Sequence, residues 1–150
     1  DRMTAAGRAG TPQLVSIGCY DLVDFVGWQP MPPRLEGQES HAHNRLLSSV
    51  MMTPEQRRDM ARTICAKLAT ATGPVTLLLP LRGGNEWDRP GGTLSDPAGF
   101  AAFVAEIRAA CPDNVTLVEL DAHINDPDFA EAALGAFDAW VAAGVVPVGP

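Results

Sequence analysis

The chain has 150 residues, 46% of them hydrophobic and 19% charged, which fits one globular domain with a proper core. Its formal net charge of −7 and pI near 4.8 argue against a nucleic-acid partner, which needs a basic face. No apolar run approaches the ~18–20 residues of a membrane span, and no charged n-region with an apolar stretch behind it opens the chain.

Taken in order, residues 1–10 read as the last turns of a helix stopped by Gly10, so the chain opens inside an element. Gln13 to Ile17 form a short strand that ends at Gly18. Residues 19–40 contain Pro30, Pro32, Pro33 and Gly37 and hold no long regular element. A connection of that length in a compact domain is often functional. Leu46 to Met52 is apolar enough for a strand, with a helical turn as the alternative. Thr53-Pro54-Glu55-Gln56 then starts a helix: Thr53 caps, Pro54 takes the first position and Gln56 completes a capping box. That helix runs to about Ala71, with Met60, Ile64 and Leu68 on one stripe, and Gly73-Pro74 ends it.

Val75 to Leu81 is a continuous apolar run, the pattern of a strand buried on both faces in a parallel sheet. The following loop holds four glycines, two arginines, two acids, Asn85 and Trp87. Ser95-Asp96-Pro97 opens a helix near 97–110, with Asp96 as cap and Phe100, Phe103, Val104 and Ile107 on its face. Cys111 to Asn114 turn the chain into strand Val115–Leu120. Asp126-Pro127 starts the last helix, whose face is Phe129, Ala133, Phe137, Trp140 and Val141. Gly144 to Pro150 form an irregular end. The β-α-β-α order predicts a single Rossmann-like α/β domain over residues 1–150, in three layers with a mainly parallel sheet. Three helices and a helix stub leave part of a four-stranded sheet uncovered, so an apolar patch is expected near Gln13–Ile17 or Leu46–Met52. Cys19, Cys65 and Cys111 are odd in number, widely spaced and without CxxC, as expected of reduced thiols in a cytoplasmic protein.

Ligands of open α/β sheets collect at the carboxyl ends of the strands, which directs attention to two stretches. The loop RGGNEWDRPGG is neither GxxxxGK[ST] nor GxGxxG. Gly83, Gly84 and Gly91 let backbone N–H groups approach an anion beside Asn85, with the Asp96 helix behind them and Arg82 and Arg89 adding charge. The alternative is glycine used only for tight turns. The second stretch puts Asp121, His123 and Asn125 within five residues at a strand end. There His123 is a candidate acid/base, and Asp21 and His43 are its candidate partners. The alternative has Asp126 capping the helix, Asn125 shaping the turn and His123 satisfied locally. His41 and His43 share a face if extended, and with His123 and an aspartate they suggest a divalent-metal site, although such spacing also arises by chance. Asp21 and Asp24 can equally be a solvated turn. No GxSxG supports a serine nucleophile.

Four stretches carry a resemblance: GRAGTPQLVSIGCYDLVDF (7–25), His43-Asn44, LLPLRGGNEWDRPGGTLSDP, and HINDPDFAEA (123–132). In order and spacing they are similar to the C-terminal domain of the family of the tomato mosaic virus resistance protein. The resemblance covers almost the whole chain. It implies Rossmann-like domains, two per chain, and an association with ATP; the plant member is implicated in blocking viral RNA replication. The positions matching family motifs are Asp21, His43, Asn44, Gly83, Asp88, Gly91, Asp96, His123, Asn125 and Asp126. One departure is Met51-Met52-Thr53-Pro54, where the family often has an MRTT-like segment with an arginine.

Together these readings predict binding of ATP or another phosphorylated small molecule at the crest, with Mg as a possible companion. Asn44, Gly83, Gly84, Asn85, Asp88, Gly91, Asn125 and Asp126 are the expected ligand contacts. The alternatives are a hydrolase or lyase using His123 or His43 as acid/base, and a structural or dimerising domain. The expected partners are a second copy of the chain or a separately encoded N-terminal domain, with neither nucleic acid nor membrane indicated.

Overall fold

The computed structural model describes residues 2–146; the expectations for residue 1 and for 147–150 of the tail lie outside that range. Three parallel strands form the main sheet in the order β1-β5-β6: β1 (Gln13–Ser16), β5 (Val75–Pro80) and β6 (Val115–Leu120). Gln13 stands opposite Val75, and Val75 opposite Val115. Side chains alternate across the sheet, so each strand feeds two cores. Val75, Leu77 and Leu79 pack with Ile64, Leu68, Phe103 and Ile107, under helices α2 (Pro54–Ala69) and α3 (Pro97–Ala110). Leu78 faces the other way and meets Phe129 and Ala133 of α4 (Pro127–Ala142). The result is the expected Rossmann-like, three-layer α/β arrangement. A short α1 (Thr4–Arg8) precedes β1, and Gly10 at φ +70 ends it, as its sequence predicts.

The capping signals act as read, with one exception. Thr53 and Gln56 form the reciprocal capping box of α2, and Asp96 accepts the Gly99 N–H at the start of α3. Asp126 occupies the N-cap position of α4 but makes no capping hydrogen bond. Its carboxylate is drawn to stronger partners in the neighbouring loop.

The segment 47–51 departs from expectation. It is a strand, β4 (Leu47–Met51), but it does not join the parallel sheet. It is the centre of a second, antiparallel sheet, β2-β4-β3, with β2 (Leu22–Val26) and β3 (Ser40–Ala42) on its edges. The prolines of 30–33 limit that region to a 3-10 turn at Pro33–Leu35, while the short runs on either side pair with β4. Asp24 and Ser49 face each other across β2 and β4 and share a hydrogen bond of 2.6 Å, a polar pair that hides the alternation of a half-buried strand. Among the described residues, exposed large apolar side chains fall in two places: Trp28 and Leu46 at one end of the antiparallel sheet, and Leu134 and Phe137 on α4. Leu46 lies in one stretch where exposure was expected, and in the other, Gln13–Ile17, Leu14, Val15 and Ile17 line a mainly apolar cavity of about 470 Å³ with Met3, Leu22 and Met60.

No helix among the described residues is long and apolar enough to cross a membrane.

Candidate functional site

The three loops at the carboxyl ends of the parallel strands are stitched together by their backbones. Arg82 N–H donates to Ala122 C=O, Ile124 N–H to Gly83 C=O, and Cys19 N–H to Gly84 C=O. This framework draws in the side chains of Asp21, Asn85, Asp88 and His123.

His123 is 1% exposed and both of its ring nitrogens are engaged. The Asn125 N–H donates to Nδ1 at 3.1 Å, so that nitrogen carries no proton. Nε2 therefore carries it and donates to Asn85 C=O and to the Asp88 carboxylate, both at 2.9 Å. The other Asp88 oxygen accepts the N–H groups of Gly84, at 2.6 Å, and Asn85, at 3.2 Å. The glycine-loop amides expected to hold an external anion thus hold an internal one. Gly83 is required here for two reasons. Its φ of +126 is open to glycine, and an added Cβ would press on the Asp88 carboxylate and on His123 Cδ2, at 2.7 Å.

Asn85 carries the network onward. Its Nδ2 donates to both oxygens of Asp21, at 3.1 and 3.2 Å, and its Oδ1 accepts the Trp87 N–H. Asp21 is fully buried. Burial pushes its carboxyl above the usual aspartate range, against the opposing pull of Arg57 and the Asn85 bonds. Asp126, behind His123, shifts the other way: it accepts the His123 backbone N–H at 2.9 Å and pairs with Arg89 at 3.0 Å, which lower its pKa. Those bonds are why it leaves the α4 cap.

Arg57 belongs to the site although no motif announces it. It is buried, one turn into α2; its Nε donates to Met52 C=O at 3.0 Å and its Nη2 pairs with Asp96 at 3.1 Å. The sequence signal was an arginine on the buried stripe of α2, in register with Ala61, Ile64 and Leu68. Gly99 makes the room, since a Cβ there would meet the Arg57 guanidinium and Asp96.

Asp21, Arg57, Gly83, Asp88 and Asp96 open onto a cavity of about 190 Å³, whose apolar walls include Leu81, Leu94 and Phe100 and whose rim includes Arg82. A second cavity of about 490 Å³ adjoins it at Leu94 and reaches His41, Val50 and Met51 on the antiparallel sheet. The site therefore lies where the two sheets meet.

The other expected contacts are placed differently. His43 and His41 both pack on Trp87, with ring centroids 4.8 and 5.5 Å away, while His123 lies beneath the glycine loop. The imagined metal set is thus divided, and among the described residues no group of three or more His, Cys, Asp or Glu could hold a metal. Asn44 uses its side-chain oxygen on the N–H groups of Leu46 and Leu47, closing the β3–β4 turn. Asn125 binds Glu86 at 2.8 Å, and Gly91, at φ +81, has open space around it.

A helix-wrapped parallel sheet with a cavity at the carboxyl ends of its strands defines a Rossmann-like α/β domain. The chain belongs to the UPF0261 family: residues 1–141 match the domain described as "Uncharacterised protein family (UPF0261) C-terminal domain". A UPF0261 protein of Brucella melitensis is 49% identical over 146 residues, 97% of this chain and 35% of that protein. One from Rhizobium meliloti is 36% identical over 91% of this chain and 35% of its own length. The ToMV resistance protein Tm-1 of Solanum lycopersicum is 30% identical over 84% of this chain and 17% of its own length. The chain spans about a third of the length of the curated bacterial relatives it matches.

Proposed function

We propose that the crest binds a phosphorylated small molecule of nucleotide size, such as ATP, lying across both cavities. The observation that carries this reading is the junction at Leu94, a wall shared by a small cavity that holds a buried guanidinium and a larger one. The smaller cavity alone is below the ~300–1,000 Å³ typical of ligand pockets, and the larger one falls within that range. The glycine-loop amides do not take the phosphate, because Asp88 already fills them. The cation open to it is Arg82 at the rim, whose pairing with Asp121 is exposed and screened by water. Magnesium would arrive with the phosphates, since Mg²⁺ is commonly held by one or two carboxylates plus substrate oxygens.

Binding is favoured over acid/base chemistry at His123. A hydrolase or lyase needs an imidazole free to exchange its proton, and both nitrogens of this ring are committed inside the protein.

A melting experiment tests the reading. ATP with magnesium, at a hundredfold excess over Kd, should stabilise the protein by about 2.7 kcal/mol through mass action. Leu94→Trp, which fills the junction, should abolish that shift. No shift at millimolar ATP, with or without magnesium, would sink the proposal for this chain.

A further inference from the structure

We infer that the smaller cavity is a sugar subsite: it takes a pentose-sized polyol, the ribose of a nucleotide, and leaves the phosphate outside. This rests on the binding reading above and deepens it by assigning which part of the ligand enters the cavity.

Size gives the first argument. A volume of about 190 Å³ lies below the ~300–1,000 Å³ of pockets that take a whole drug-sized ligand. That accommodates one furanose ring with its hydroxyls, and not a base or a triphosphate besides.

Charge gives the second. Three carboxylates, Asp21, Asp88 and Asp96, line the cavity against the buried guanidinium of Arg57 and the rim guanidinium of Arg82. Like charges brought close together where little water screens them repel strongly. A phosphate placed inside would face that repulsion from several sides. Hydroxyl groups face none, and each can donate to a carboxylate while accepting from a guanidinium.

The unused bonding capacity fits a diol. Arg57 commits Nε to Met52 and Nη2 to Asp96. Its Nη1 stands beside Gly99, and the neighbouring Tyr20 has a buried hydroxyl facing the guanidinium with no hydrogen-bond partner among the described residues. Asp21 presents two oxygens, which among the described residues accept the Asn85 amide and its own backbone N–H. A buried donor and a buried acceptor therefore border the same small space, as adjacent hydroxyls require. The apolar walls, Leu81, Leu94 and Phe100, suit the C–H faces of a sugar ring. The phosphate then lies at the mouth, within reach of the exposed Arg82.

The test changes the ligand before the protein, so that folding is not at issue. Amide NMR spectra of the intact chain are recorded with ATP, 2′-deoxy-ATP, adenosine and inorganic pyrophosphate. The expected result is that ATP and adenosine move the Gly83, Gly99 and Phe100 amides, pyrophosphate leaves them in place, and 2′-deoxy-ATP binds at least tenfold more weakly than ATP. Asp21→Asn, checked for an intact spectrum, should weaken adenosine by a similar factor. If pyrophosphate moves these amides, or if removing the 2′-hydroxyl changes nothing, the sugar assignment is overturned while nucleotide binding stands. If no ligand perturbs any amide, the binding reading fails and takes this inference with it.

Discussion

Replacing Asp88 by asparagine is the most informative single perturbation of the crest, because it changes one proton pattern and almost no volume. Three donors converge on the carboxylate: the N–H groups of Gly84 and Asn85 on one oxygen and His123 Nε2 on the other. An amide offers one acceptor and one donor. If its oxygen keeps the two backbone N–H groups, its NH₂ faces the proton on Nε2. Moving the ring proton to Nδ1 does not help, because Nδ1 would then face the Asn125 N–H and Nε2 would face Asn85 C=O. Every alternative leaves one buried group mispaired, at about 1–3 kcal/mol. A cost near 2 kcal/mol corresponds to a fall in Tm of roughly 4–8 °C for a chain of this size. Urea titration at pH 7, followed by circular dichroism, measures the loss, and ¹⁵N spectra of the imidazole identify the protonated nitrogen. A loss under about 0.5 kcal/mol, the range of an ordinary surface substitution, or a proton found on Nδ1 in the unmutated protein, would refute the reasoning.

Other substitutions test separate parts of the structure. Gly83→Ala forces a side chain into φ +126 and against Asp88 and His123; backbone strain alone is about 1–3 kcal/mol, and a melting curve unchanged by it would contradict the crowding described. Asp21 has a folded pKa raised above 3.8, chiefly by burial, so its stabilising protonated form is complete below that value and is lost as pH rises through the folded pKa. Asp21→Asn removes that pH dependence, so its Tm relative to the unmutated protein should rise between pH 4 and pH 7, on top of the fixed cost of turning an amide toward the Asn85 Nδ2 donor; a constant difference across that window would rule the burial effect out. Phe103, fully buried and stacked on Tyr20 at 3.7 Å, should cost about 3–5 kcal/mol when cut to alanine, as read from denaturant midpoints at constant m-value.

What the sequence disclosed depended on how local each signal was. Val75–Leu81 showed as a buried strand because both faces are covered, so an uninterrupted apolar run was its only possible pattern. Thr53 and Asp96 were readable as caps since their partners, Gln56 and Gly99, lie three residues away. Strand β2 was hidden. Its register comes from pairing with β4 more than twenty positions along, and its polar Asp24 is satisfied by Ser49 on that distant strand. The same distinction runs through the site. Asp21 and Gly83 stood out as polar or glycine positions after strands and Asp88 through the family resemblance, and the cavity includes all three. Arg57 did not, because its partner Asp96 is separated from it by a helix, a strand and a loop. Asn44 fits a turn rather than a pocket for the reverse reason: its partners are two and three residues away, and local hydrogen bonds outcompete distant ones at no cost in chain closure.

Asp96 divides its two oxygens between a helix and a cavity wall: Oδ1 accepts the Gly99 N–H, and Oδ2 faces Arg57. The fraying of the first turn of α3 and the freedom of the guanidinium are therefore thermodynamically linked. A molecule that draws Arg57 toward itself alters the hold of Asp96 on the helix start, and a substitution that loosens the helix start alters the affinity of that molecule by the same factor. Amide hydrogen exchange at Gly99 and Phe100 thus serves as a gauge of occupancy read from the backbone. It responds to whatever ligand engages the guanidinium, including one whose identity is not known beforehand.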